Sequence, residues 1–128
     1  MKFYGSQAIT PSGVPVPLSG AVEIDGFVFL SGVLALQDGK ITGGIEEQTE
    51  VIFDTISAIL GQAGLTLDHV IKATIWLTDP NDFAAFNFVY GWRLRAPFPA
   101  RSCVISQLVV PSARIEIEVV ASRNKTRL

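Results

Sequence analysis

Charge is scarce in this chain. Only 17% of its 128 residues are charged and 48% are hydrophobic, so a monomer would show water more apolar surface than a typical domain does. That shortfall points to apolar surface buried between copies. The single cysteine, Cys103, excludes an internal disulfide and fits a reducing compartment. The single histidine, His69, together with that cysteine cannot furnish a zinc site of the usual kind. A net charge of −2 without a basic cluster lacks the electrostatic footprint of a nucleic-acid binder. No apolar run approaches the length needed to span a bilayer, and residues 1–6 show no long hydrophobic leader, so no membrane role and a cytoplasmic address are expected. Linkers, low-complexity tracts and short-period repeats are also missing. The length suits one domain over 1–128, with a core large enough to need neither disulfide nor metal.

What is present reads as strands and two helices. The first ten residues allow a short edge strand, and the Pro- and Gly-rich run from Thr10 to Gly20 reads as a loop. Ala21–Ile24 and Phe27–Ser31 flank Asp25-Gly26, a two-residue hairpin signal. Because Phe27 to Leu30 is apolar at every position, this strand is expected to be buried on both faces. Asp38-Gly39 marks another turn. From Glu46 to Ala63 the period becomes helical, with Ile52, Ile56, Ile59 and Leu60 on one stripe and Gly64 placed to end it. His69 to Thr78 alternates as a strand. Asp79-Pro80 then opens a second helix that ends near Trp92 or Arg93, before Pro97 and Pro99. The class is α+β, a mostly antiparallel sheet with two helices on one face.

Two strands draw attention for chemistry. Pro99–Ile105 carries Arg101 and Cys103; Ala113–Val119 carries Glu116 and Glu118. The short segment between them, with Pro111 as a turn residue, would allow the strands to pair as neighbours and bring arginine and carboxylate together. An arginine so placed serves either as a grip for an anion or as half of an ion pair with Glu116. Glu116 and Glu118 point the same way, which also fits a solvated sheet face. Cys103 shares the face of Arg101 and reads as lining the same site or as a small buried hydrophobe. Trp76, Trp92, Phe27, Phe29 and Phe98 read as core or interface.

In order along the chain, Leu30-Ser31-Gly32, Ala63-Gly64-Leu65, Leu77-Thr78-Asp79-Pro80-Asn81-Asp82-Phe83, Phe86-Asn87, Pro99-Ala100-Arg101-Ser102 and Ile115-Glu116-Ile117-Glu118 resemble the Rid (YjgF) family of reactive imine and enamine deaminases. The resemblance covers about Leu18 to Arg123. It implies a chorismate-mutase-like fold and a homotrimer with clefts between subunits. It also implies cofactor-free hydrolysis of 2-imino acids, or enamines such as 2-aminoacrylate, to 2-oxo acids and ammonia. Arg101 matches the family arginine that grips the substrate carboxylate, and Glu116 matches the glutamate beside the attacking water. The backbone around Cys103 and Gly32 falls at cleft positions, and Asn87 at a recurrent helix position. Where the family's deaminase archetype has Pro-Tyr-Ser-Gln, this chain has Pro17-Leu18-Ser19-Gly20; where it has Ser-Gly-Gln, this chain has Ser31-Gly32-Val33. The segment from Tyr90 to Arg101 is also a few residues shorter. Leu18 and Val33 make the expected cleft more apolar, favouring imines with apolar or bulky side chains. The rival reading is a non-catalytic trimer that binds small carboxylates through Arg101. A ribonuclease reading finds no basic stripe and no histidine pair.

Overall fold

Backbone alternation and two turn-forming dipeptides organise most of the chain. The structure, a computed structural model, describes residues 1–6, 9–10 and 12–125. The elements are β1 (Lys2–Tyr4), β2 (Ala21–Ile24), β3 (Phe27–Leu30), β4 (Val33–Leu34), α1 (Ile45–Gln62), β5 (Val70–Leu77), α2 (Phe83–Arg93), β6 (Ala100–Ile105) and β7 (Ile115–Ser122). One sheet runs β1-β2-β3-β7-β5-β6, with β4 also paired to β7; β5 and β6 are parallel and the other pairs antiparallel. Ile52, Phe53, Ile56 and Leu60 of α1 and Phe86 and Tyr90 of α2 share a core with Val28, Leu30, Ala73, Ile75, Ile117 and Val119 of the sheet. The expected α+β architecture with helices on one face is the observed one.

Local chemistry sets the element ends. The β2–β3 turn needs left-handed backbone at both central residues, and Asp25 and Gly26 supply φ of 53° and 81°. At the start of α1 the Gly44 N–H donates to Glu47 Oε2 at 2.7 Å. At its end Gly64 has φ of 74°; Leu65 N–H donates to Leu60 O at 2.9 Å and Gly64 N–H to Gly61 O at 3.0 Å. These two bonds satisfy carbonyls that the helix leaves open. Asp79 Oδ1 accepts from Asn81 N–H at 2.8 Å, starting the 3₁₀ turn Pro80–Asp82 that leads into α2.

Two expectations require correction. First, β6 and β7 are not neighbours, because β5 lies between them. The connection from β5 to β6 contains α2, so β6 joins β5 in parallel and β7 takes the other edge of β5. Second, the strand Phe27–Leu30 is buried on one face only: Val28 and Leu30 enter the core, while Phe27 and Phe29 are 41% and 46% exposed. The helices cover just one side of the sheet, so alternate residues face away from them. A short strand, β4, not marked in the sequence, resumes on β7 after a break at Ser31-Gly32. Trp92 and Phe98 are also exposed and do not belong to the core.

Two buried carboxylates tie distant segments to the sheet. Glu23 accepts from Arg123 Nε and Nη2, both at 2.9 Å, and from the Tyr4 hydroxyl at 2.7 Å; the same Nη2 donates to Ala63 O at 2.8 Å. One cluster thereby joins β1, β2, the end of α1 and the residue after β7. Asp82 accepts a forked pair from Arg114 at 2.7 and 3.1 Å, fixing the start of α2 to the start of β7. The hydrogen bonds from Arg123, and then that from Tyr4, lower the Glu23 carboxyl from 4.5 to about 2. A depressed acid contributes stability above its unfolded value, and that contribution is lost as pH falls toward the folded one. Glu23→Gln should therefore melt below wild type at pH 7. In thermal melts followed by circular dichroism, the gap should narrow below pH 4.5 and close near pH 2.

Candidate active site

The pleat decides which side chains can meet. Arg101 pairs in register with Ala73, and Ala73 with Val119, both core residues, so Arg101 projects to the helix side of the sheet. There its guanidinium carbon lies 4.8 Å from the centre of the Tyr90 ring, 5.3 Å from Phe86 and 5.7 Å from Phe83, all on α2. Such contacts favour a cation and hold it in place without neutralising it. Arg93, Arg95, Arg114 and Arg123 each have a carboxylate partner. Among the described arginines, Arg101 alone has no ion pair. It forms the wall of a cavity of about 400 Å³ together with Asn87, Tyr90, Gly91, Phe98 and Pro99. An unpaired guanidinium fork in a concave, partly aromatic wall is suited to a carboxylate.

Tyr90 holds the one buried side-chain polar atom without a hydrogen-bond partner among the described residues, its hydroxyl. Burial pushes the ionisation of this hydroxyl to higher pH, against an opposing effect of Arg101. Cys103 follows two positions after Arg101 on the same face, half-buried against the core beside the cavity. Burial raises its thiol as well, again opposed by Arg101, so a reactive thiolate is disfavoured.

Glu116 stands elsewhere. It pairs with Trp76 on one side and Leu34 on the other, on the sheet face away from the helices. Arg101 and Glu116 of one chain thus lie on opposite faces with β5 between their strands. The proximity that neighbouring strands would have given does not occur within the chain. Glu116 has no hydrogen-bond or ion-pair partner among the described residues, and it is half-buried between apolar neighbours. Burial, and then the like charge of Glu118, raise its carboxyl above the ordinary carboxylate value. The glycine at 32 has a steric cause. A Cβ there would collide with Glu116 Oε2 and come within 3.0 Å of its Cδ, so the carboxylate occupies the space a side chain would need.

The loop that precedes β2 reaches this second location. Ser31 Oγ donates to Ser19 O at 2.6 Å and Ser31 N–H to Gly20 O at 3.0 Å, holding the Leu18–Gly20 segment beside Gly32. Leu18 flanks a groove with Phe3, Tyr4 and Gly5, apart from the Arg101 cavity. The predicted residues therefore separate into two groups, Arg101 and Asn87 with Cys103 nearby, and Glu116 and Gly32, to whose side the loop carrying Leu18 is tied through Ser31.

The family model described as Endoribonuclease L-PSP matches residues 8–123. The chain belongs to the Rid (YjgF) family. TdcF of Escherichia coli strain K12, named as a reactive intermediate deaminase, is 34% identical over 113 residues, covering 84% of this chain and 88% of TdcF. The mitochondrial protein mmf2 of Schizosaccharomyces pombe is 39% identical, covering 83% and 87%. The crystal structure of Escherichia coli TdcF with bound serine superposes with a TM-score of 0.83 at 32% identity, covering 97% of this chain and all of that one. RidA from an Antarctic Psychrobacter gives 0.84 at 30% identity, covering 95% and 99%. No helix among the described residues is long and apolar enough to cross a membrane.

In this Rid protein the sequence had not singled out the aromatic support of Arg101 or Gly91. The signal was present: Asn87, Tyr90 and Gly91 stand three and four positions apart, so one helix face carries all three. The Glu116 environment can be checked by NMR titration of its side-chain carboxyl carbon. The midpoint should lie above that of an exposed glutamate and move partly down in Glu118→Gln. It should fall further in Gly32→Ala, where the added methyl displaces the carboxylate toward water.

Proposed function

We propose that this Rid protein hydrolyses 2-imino acids, and enamines that tautomerise to them, to 2-oxo acids and ammonia. The unpaired Arg101 in the cavity wall is the observation that carries this reading. The substrate carboxylate accepts two hydrogen bonds from the guanidinium, whose fork matches it better than a lysine ammonium does. The reacting C=N carbon then faces water. Glu116 takes a proton from that water as its oxygen bonds to carbon, and the proton is passed to nitrogen. The hydroxyl proton of the resulting aminol then moves to the amino nitrogen as the C–N bond breaks, releasing ammonia and leaving a C=O bond. A carboxylate raised by burial is better matched to this proton transfer than an exposed one, and such general-base assistance contributes about 10²–10⁴-fold.

Because Arg101 and Glu116 of one chain occupy opposite sheet faces, the reading requires that one copy supply Arg101 and another Glu116. A homotrimer with a cleft at each junction satisfies this with the same contact three times. The exposed Phe27 and Phe29 on the Glu116 side of the sheet support burial of that face between copies. The serine named in the TdcF structure is an amino acid whose carboxylate fits the same role for Arg101. A cytoplasmic address belongs to this reading, although two fission-yeast relatives are named as mitochondrial. The ribonuclease in the family model's name has little to work with here, since the only histidine, His69, receives the Thr66 N–H on Nδ1 in a 3₁₀ turn.

The test couples an amino-acid oxidase to the protein and follows imine clearance. Arg101→Ala should lose about 1.5–3 kcal/mol of binding, with little rescue by lysine. Glu116→Gln should keep oxo-acid affinity while turnover drops by about 10²–10⁴-fold. Co-expressing Arg101→Ala with Glu116→Gln should restore activity, because mixed trimers regain clefts with both groups intact. Full turnover by Glu116→Gln would remove Glu116 from the mechanism, and imine clearance by wild type no faster than the spontaneous rate would favour a carboxylate-binding protein instead. No recovery in the mixed assemblies, or a stable monomer in sedimentation, would exclude the shared cleft.

A further inference from the structure

Gly91 lies within α2, where glycine is unfavourable compared with alanine because it frees the unfolded backbone and packs nothing. Helices keep such a glycine when another backbone passes close by. Here a Cβ at Gly91 would meet no atom within 4 Å. The chain itself therefore gives no reason for the missing side chain. What does adjoin Gly91 is the Arg101 cavity, and Asn87 stands one helical turn before it on the same wall. Apart from Arg101 and Asn87, that wall is Tyr90, Phe98, Pro99 and Gly91. The Phe98 ring is half exposed. A cavity of about 400 Å³ exceeds the needs of a three-carbon acid, and the exposed Phe98 ring beside it offers a flat apolar surface to a larger side chain.

We propose that Gly91 determines substrate size, keeping the cavity open for 2-imino and 2-oxo acids with a flat, bulky apolar side chain that packs on Phe98. This rests on the carboxylate reading of Arg101 and narrows it to a substrate class. The source of the selectivity is the space over Gly91 and the Phe98 ring. Leu18, which lies by the other group of residues, is not needed for it.

Phenylpyruvate and pyruvate, titrated by calorimetry, report the preference without requiring turnover. Wild type should bind phenylpyruvate at least about tenfold more tightly, a ratio within reach of an apolar pocket. Gly91→Leu fills the space with a better helix former, so its melting temperature should not fall, and the affinity ratio should drop by about tenfold. Phe98→Ala should lower the ratio in the same direction. An unchanged ratio in Gly91→Leu, or a wild-type preference for pyruvate, overturns the proposal. So does a change in sedimentation without a change in ratio, which would mean that another copy occupies the space. If wild type shows the preference but clears no imine, the deaminase reading fails and the size selection stands. If it clears small and large imines alike and shows no preference, the reverse holds.

Discussion

Three strands in register share one pleat, and that constraint governs where the candidate functional groups of this protein lie. With β5 between β7 and β6, the residues Arg101, Ala73 and Val119 form one cross-strand row, and Val104, Trp76, Glu116 and Leu34 form another on the opposite face. Side chains alternate strictly along a strand, so no rotamer carries Glu116 round to Arg101. The parallel pairing of β5 with β6, enforced by the helical crossover α2, also sets α2 beneath Arg101. The same connection that separates the arginine from the glutamate gives the arginine its aromatic support.

The electrostatics are consistent with two incomplete half-sites. The other described arginines are neutralised by carboxylates within the chain, and Arg114 and Arg123 use both arms of the fork to do so. Arg101 is held by three rings, contacts that steady a cation while leaving its donors available. Glu116 is the complementary case, a carboxylate without donors, set between Leu34 and Trp76 and kept close to the backbone by the missing side chain of Gly32. Each group retains unused hydrogen-bonding capacity at a place where water is partly excluded. That is the condition under which a charged ligand gains most from binding.

The sheet face carrying Glu116 also accounts for the composition. Phe3, Val22, Phe29 and Val120 form a further row across β1, β2, β3 and β7 on that side, with no helix over them. A chain with few charges and many apolar residues can satisfy one core from the helix side only, so the surplus falls on the other side. The edge strand β6 is short and carries Ser102 and Val104 on that same face, continuing the surface rather than closing it.

Local sequence determined what local chemistry controls. The hairpin at Asp25-Gly26, the extent of α1 and its end at Gly64, the Asp79-Pro80 turn that leads into α2, and the alternation of the Arg101 and Glu116 strands follow from backbone preferences and periodicity. The Pro-Ala-Arg-Ser and Ile-Glu-Ile-Glu segments also made Arg101 and Glu116 the candidate site residues. Tertiary structure alone decided strand order, because β6 and β7 have the same alternating pattern and either would suit a hairpin. It therefore decided that Arg101 and Glu116 face apart, and that Phe27 and Phe29 stay uncovered although every residue of β3 is apolar. It also decided that Leu18 lies beside Phe3 and Tyr4, apart from Arg101, and that the space over Gly91 opens beside Arg101. Periodicity specifies which residues share a face of one strand; which neighbour a strand takes depends on how α2 crosses and on which edge of β5 is left for β7.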